Sequence, residues 1–277
     1  MSLTKVLVSV KTYPTLSEKY DELVCTAGFR EDGSWIRIYP VPFRKLDYSN
    51  RYNKWEWIEM DLVKNAKDFR PESYRPADLT KEIKRGGKVS TENGWFDRKE
   101  LCFKNKVYTN LTELIAEAKD KEISTSLAIV KPKEIIDFVW EPCDSEWDRR
   151  KLDTIKARQL QGELFDLEDT KEIFNVVRKL PYKFSYIFTT EDDIQRKIMV
   201  EDWEIGQLYW NCLSQEKGDE AKALEKVKHK YFDTFLKRDL HFFMGTTREF
   251  HYVGKNPFII IGVFYPPKVE AHQMKLF

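Results

Sequence analysis

Asp21-Glu22-Leu23-Val24-Cys25-Thr26-Ala27-Gly28-Phe29, then Glu31-Asp32-Gly33-Ser34, then Trp35-Ile36-Arg37-Ile38-Tyr39-Pro40, is the stretch that decides the fold. The first run is an extended apolar pattern and the last alternates apolar with polar, so each reads as a strand. The four residues between them are turn formers, which makes the two strands a hairpin. Arg37 falls on the opposite face from Ile36 and Ile38. Lys5–Val10, β-branched and ended by Lys11-Thr12-Tyr13-Pro14, adds a strand before the hairpin, and the alternating Trp55–Lys64 adds one after it. The N-terminal region is therefore expected to be an antiparallel sheet or a partly open β-barrel.

Beyond it, Phe69–Gly94 has little periodicity and reads as a surface loop with a short helix. Thr109–Lys119 puts Leu111, Leu114, Ile115 and Ala118 on one helical face behind an Asn110 or Thr109 cap. Strands follow at Ser126–Val130 and Glu134–Trp140. Ser145-x-x-Asp148 starts a charged helix reaching about Leu160, the one candidate boundary in the chain. Tyr182–Phe188 alternates four aromatic rings on one strand face. Asp202–Leu213 and Asp219–Leu236 have helical spacing, and Leu240–Met244 and Phe258–Phe264 close the chain as strands. The last is apolar on both faces and is expected to be central. The fold class is α+β: a β-rich half at 1–144 and a helix-and-strand half at 145–277, packed as one unit.

Composition narrows the partners. The 47 basic and 46 acidic side chains nearly cancel, so any polyanion site must be a local patch. The longest apolar run near either end, Pro257–Pro267, is far short of the about 20 residues that span a bilayer. Four widely spaced cysteines without a Cys-x-x-Cys pair suit reduced thiols, and a cytoplasmic location is expected. No Gly-rich phosphate loop, nucleophile elbow or zinc-spaced Cys/His set occurs, so neither a metal site nor a resident cofactor is expected. The four histidines, His229, His241, His251 and His272, match no ligand spacing. A Cys25–histidine dyad is weighed against simple burial of Cys25, which is favoured.

Two constellations carry chemistry. Arg37, Tyr39, Phe43 and Arg44, together with Arg70, Tyr74 and Arg75, interleave guanidinium groups with aromatic rings, the combination that grips phosphates and stacks bases. Ordinary pairing of these arginines with carboxylates is the competing reading. Asp202-Trp203-Glu204 sets carboxylates at a helix start, where they serve as a cap or, with Asp192 or Asp193, as ligands of a divalent ion. Glu59 and Asp61 with Lys64 form a weaker acidic set. Phe242–Arg248 ends a strand with glycine, two hydroxyls and a cation, a composition suited to binding an anion.

The tail Gln273-Met274-Lys275-Leu276-Phe277 resembles the Gln-Leu-x-Leu-Phe peptide by which bacterial DNA polymerases and repair proteins dock on the sliding clamp. That resemblance implies a role for Gln273 at the rim and for Met274, Leu276 and Phe277 in an apolar pocket. Gln161-Gly162-Glu163-Leu164-Phe165 shares the outer pattern. The phrases at 11–14 (Lys-Thr-Tyr-Pro), 35–40 (Trp-Ile-Arg-Ile-Tyr-Pro), 182–186 (Tyr-Lys-Phe-Ser-Tyr), 202–204 (Asp-Trp-Glu) and 260–267 (Ile-Ile-Gly-Val-Phe-Tyr-Pro-Pro) resemble an uncharacterised family of bacterial proteins. The resemblance implies a bacterial cytoplasmic origin and brings no activity with it. Some members carry a Cys/His cluster just before Asp-Trp-Glu, where this chain has Thr189–Lys197 without Cys or His.

The leading expectation is a nucleic-acid-binding protein of DNA maintenance or phage defence that docks on the clamp through its tail. The alternative is a metal-dependent hydrolase or nuclease built on Asp202 and Glu204. The third is a protein-interaction module without catalysis.

Overall fold

A computed structural model of the chain describes residues 3–163 and 176–268, with side chains of 159–163 outside the description. The hairpin forms as the sequence dictates, Asp21–Phe29 pairing antiparallel with Trp35–Val41, and Thr4–Lys11 lies on the other side of Asp21–Phe29. Across the sheet the order is Leu62–Lys64, Ser73–Pro76, Trp35–Val41, Asp21–Phe29, Thr4–Lys11, Glu56–Met60, Lys84–Lys88. Thr15–Ser17 adds a further pairing to Asp21–Phe29. Register breaks between Val8 and Val10 and between Val24 and Thr26 bend the central strands. The sheet accordingly curls into an open half-barrel.

The interval 69–94 differs from the surface loop expected of it. It contributes two strands, Ser73–Pro76 and Lys84–Lys88, and a helix begins at Glu92. Pairing with Glu56–Met60 overrides the weak local signal of Lys84-Arg85-Gly86-Gly87-Lys88. A Cβ at Gly86 would crowd Trp57 Cβ at 3.2 Å, so glycine there serves close packing.

The chain from Val107 onward holds two smaller sheets. One runs Phe258–Phe264, His241–Thr246, Leu127–Val130, Val107–Tyr108; the other runs Glu134–Pro142, Tyr182–Thr189, Arg196–Met199. Phe258–Phe264 is an edge strand and not a central one. Its two apolar faces have a different cause: Ile260 and Val263 enter the C-terminal core, while Ile261 and Phe264 enter the core shared with the half-barrel. That shared core brings Leu7, Phe29, Trp35 and Trp55 against Leu127, Phe243 and Phe264. Burying each such ring contributes roughly 1.5–3 kcal/mol, and this cluster binds the two halves together.

Asn110, Asp202 and Asp219 cap helices Leu111–Lys119, Trp203–Gln215 and Glu220–Lys228 with their side chains. Asp148, rather than Ser145, accepts the N–H of Lys151 at the start of Arg149–Glu163. The expected helix Asp219–Leu236 changes pitch: Glu220–Lys228 passes into a π turn at His229–Thr234 and a 3-10 turn at Phe235–Lys237. The wider turn lets Tyr231 and Phe235 both reach the core. Among the described residues, no helix is long and apolar enough to cross a membrane.

Candidate anion-binding cleft

Where the half-barrel meets the His241–Thr246 strand, the molecule opens into a cleft of about 1020 Å³. Arg37, on the outer face of its strand, is buried there at 2 % exposure. Its guanidinium donates to Ser126 Oγ at 2.7 Å and to the carbonyl of Ser126 at 3.1 Å, and reaches the Thr246 carbonyl at 3.5 Å. Ser126 Oγ in turn donates a hydrogen bond to Glu72 Oε2 at 2.7 Å, so Arg37 is one hydroxyl away from a carboxylate. Burial lowers the pKa of Arg37 and the neighbouring Arg70 lowers it further.

Arg70, also in the wall, forms a two-point ion pair with Asp68, at 2.9 Å from Nε and 2.6 Å from Nη2, and donates to the Thr246 carbonyl. Ser73 Oγ donates to the same carboxylate at 2.7 Å. Burial pushes Asp68 up, but the bonds from Arg70 and Ser73 outweigh it and hold the carboxyl well below the usual range. A depressed folded pKa adds stability that is complete above about pH 4 and lost as pH falls below it. Urea unfolding at pH 5 and pH 3 is therefore expected to show a loss of about 1 kcal/mol from this group. Asp68→Asn should remove that part of the slope; parallel pH profiles for the two proteins would contradict the assignment.

Around these buried arginines stand exposed cations: Lys19, Lys64, Lys67, Arg75 and Arg248. None has a carboxylate within 4.0 Å among the described residues. Arg248 instead donates to the Lys67 carbonyl at 2.9 Å, Arg75 to the Pro76 carbonyl at 3.2 Å, and Lys64 to the Pro71 carbonyl. These bonds orient the cations without neutralising them. Phe69, between Asp68 and Arg70, is 49 % exposed and stacks on Tyr252 at 4.8 Å and 22°. Phe69 itself lies outside the lining of the cleft, whereas the exposed ring of Tyr39 stands in its wall.

The arginine-and-aromatic set named from the sequence is thus divided. Arg37, Tyr39, Arg70 and Arg75 line the cleft, and Tyr74 lies beneath the cations of Lys64 at 5.0 Å and Arg30 at 4.8 Å. Phe43 and Arg44 go elsewhere, because the strand ends at Val41 and a 3-10 turn at Phe43–Lys45 redirects them. Phe43 packs on Tyr52 and Trp203, and Arg44 pairs with Glu22 at 2.8 Å. Sequence reading missed Lys19, Lys64 and Lys67 as members of the site, whereas Arg248 lay in the turn already singled out for anions.

His251, fully buried behind the wall, has Thr246 Oγ1 at 2.7 Å from Nδ1 and Ser124 Oγ at 3.1 Å from Nε2. Both ring nitrogens are occupied, and burial with the nearby Arg70 lowers the pKa of the ring. Cys25 lines the cleft, but burial raises its pKa against the pull of Arg37 and Arg70, leaving a thiol rather than a nucleophilic thiolate.

The Asp202–Glu204 set lies apart, beside a smaller cavity of about 390 Å³ to which Glu204 contributes. Asp202 is fully buried and accepts from the Glu204 N–H at 3.2 Å as a helix cap. Lys54 Nζ stands 3.2 Å from Asp202 Oδ2 and 2.9 Å from Glu204 Oε2. Its ammonium bridges the two carboxylates. Burial disfavours that charge, but the two carboxylates outweigh it and raise the pKa of Lys54. Asp192 is held by Arg196 and Thr112, and Asp193 by Lys133. Among the described residues, no group of three or more His, Cys, Asp or Glu side chains is placed to hold a metal ion. Of the tail residues, Gln273, Met274, Leu276 and Phe277 lie outside the described residues, as do Leu164 and Phe165 of the second match and the side chains of Gln161–Glu163.

The fold and site define an α+β protein with a cation-lined cleft between a half-barrel and a second sheet. The chain belongs to the family of the domain of unknown function DUF8757, matched over residues 107–277, and residues 2–104 match a second domain of unknown function, DUF8758. This agrees with the expected membership of an uncharacterised family. No curated protein and no solved structure matches the chain.

Proposed function

We propose that this protein binds nucleic acid, taking a single strand into the cleft between the half-barrel and the His241–Thr246 strand. One observation carries the reading: in a chain whose charges nearly cancel, Lys19, Lys64, Lys67, Arg75 and Arg248 face one cleft without carboxylate partners. Phosphates supply the missing anions, releasing counterions as they do so. Tyr39 in the wall offers a ring face on which a base stacks, an interaction worth about 1–3 kcal/mol per base. A duplex keeps its bases stacked inside and presents a convex backbone, so it does not reach the cleft wall at Arg37; a single strand does.

The experiment is a titration of labelled single-stranded DNA, single-stranded RNA and duplex DNA against the protein at low and at physiological salt. Saturable single-strand binding, stronger than duplex binding and weakened by salt, is the expected result. Absence of binding to every strand at low salt would overturn the proposal.

A further inference from the structure

Glu201 lines the same cleft, and its carboxylate has no hydrogen bond or ion pair among the described residues. Its backbone is fixed, the N–H donating to the Ile260 carbonyl at 2.8 Å. The wall it shares includes the buried apolar side chains Leu23 and Ile261 together with Ile259 and Pro40. Burial alone raises its pKa. An acceptor is therefore held unsatisfied among apolar surfaces, in a cleft whose other charges are mainly positive.

Such a carboxylate repels phosphate, so it adds nothing to the grip on a strand's backbone. What it attracts is a pair of N–H donors. The Watson–Crick edges of the bases differ on this point. Adenine presents its amine beside an acceptor nitrogen, cytosine does the same, and uracil or thymine sets one N–H between two carbonyls. Guanine alone places two donors side by side, N1–H and the N2 amine, in the spacing of a carboxylate's two oxygens. The apolar walls suit the faces of a purine ring.

We propose that Glu201 makes the cleft selective for guanine, its carboxylate accepting from N1–H and N2–H of one unpaired guanine in the bound strand. This rests on the nucleic-acid reading of the cleft, and it adds a base preference that phosphate contacts cannot give. A bidentate contact of this kind discriminates by about tenfold or more.

The test is competition among short homopolymeric-backbone oligonucleotides carrying one guanine, hypoxanthine, adenine or cytosine at a central position, bound to wild type and to Glu201→Gln. Hypoxanthine keeps N1–H and lacks the amine. Wild type is expected to favour guanine about tenfold over adenine or cytosine, with hypoxanthine between. Glu201→Gln should bind all four within about twofold while melting at the wild-type temperature, since its side chain has no partner to lose. Equal affinities in wild type, or an unchanged guanine preference in Glu201→Gln, would overturn the selectivity and leave the cleft's phosphate grip standing. Failure of every oligonucleotide to bind would overturn both.

Discussion

Lys54→Met is expected to destabilise the protein by about 3–5 kcal/mol, the usual consequence of removing one partner from a buried ionic group. Lys54 sits between Asp202, which is fully buried, and Glu204, so its loss leaves a carboxylate without a counter-ion inside the protein. For a chain of this size the melting temperature should fall by roughly 10 °C. Sign and pH dependence follow from burial, which already pushes Asp202 up to about 6 against the pull of Lys54. Without Lys54 the folded carboxyl binds its proton still more tightly than the unfolded one. The deficit should therefore shrink toward pH 5 and grow toward pH 8. Adding Asp202→Asn, which keeps a capping side chain and removes the charge, should recover much of the loss. A Lys54→Met protein that melts within 2 °C of wild type, or a deficit that grows on acidification, would contradict this description of the triad.

Lys67→Glu with Arg248→Glu is expected to weaken single-strand binding about 10²-fold at low salt. Each substitution changes the local charge by two, and a charge pair at contact in water is worth about 1 kcal/mol before screening. The two residues lie on opposite segments joined by the Arg248 bond to the Lys67 carbonyl, and both are exposed, so the fold should tolerate the change. Binding affinity measured beside a thermal melt separates the two effects. An unchanged affinity with an unchanged melt would show that the strand, if bound, lies elsewhere.

How much of this was legible before the structure depends on sequence distance. The half-barrel followed from the Asp21–Pro40 hairpin because local turn chemistry and alternation agree there. Arg37, Tyr39, Arg70 and Arg75 were visible as guanidinium groups among aromatics, and these four do line one cleft. Phe43 and Arg44 belong to the same phrase, but a 3-10 turn carries them to the other side, and nothing in their spacing foretells it. Lys67 lies between the strand expected to end at Lys64 and the aperiodic interval that begins at Phe69. Its importance arises only when Arg248 arrives, about 180 residues further along the chain. Glu201 is a different case. The sequence drew attention to its neighbours Asp202 and Glu204 as a carboxylate cluster, yet those two are paired with Lys54 and the unpartnered acid is the one beside them.

The most direct measurement of whether the cleft holds a phosphate backbone is the slope of log affinity against log salt for wild type and for Lys64→Ala/Lys67→Ala/Arg248→Ala. Each phosphate contact on a single strand contributes about 0.7 to that slope, so the triple variant should be shallower by about 2. Parallel slopes in the two proteins, at whatever affinity, would contradict a phosphate-binding cleft.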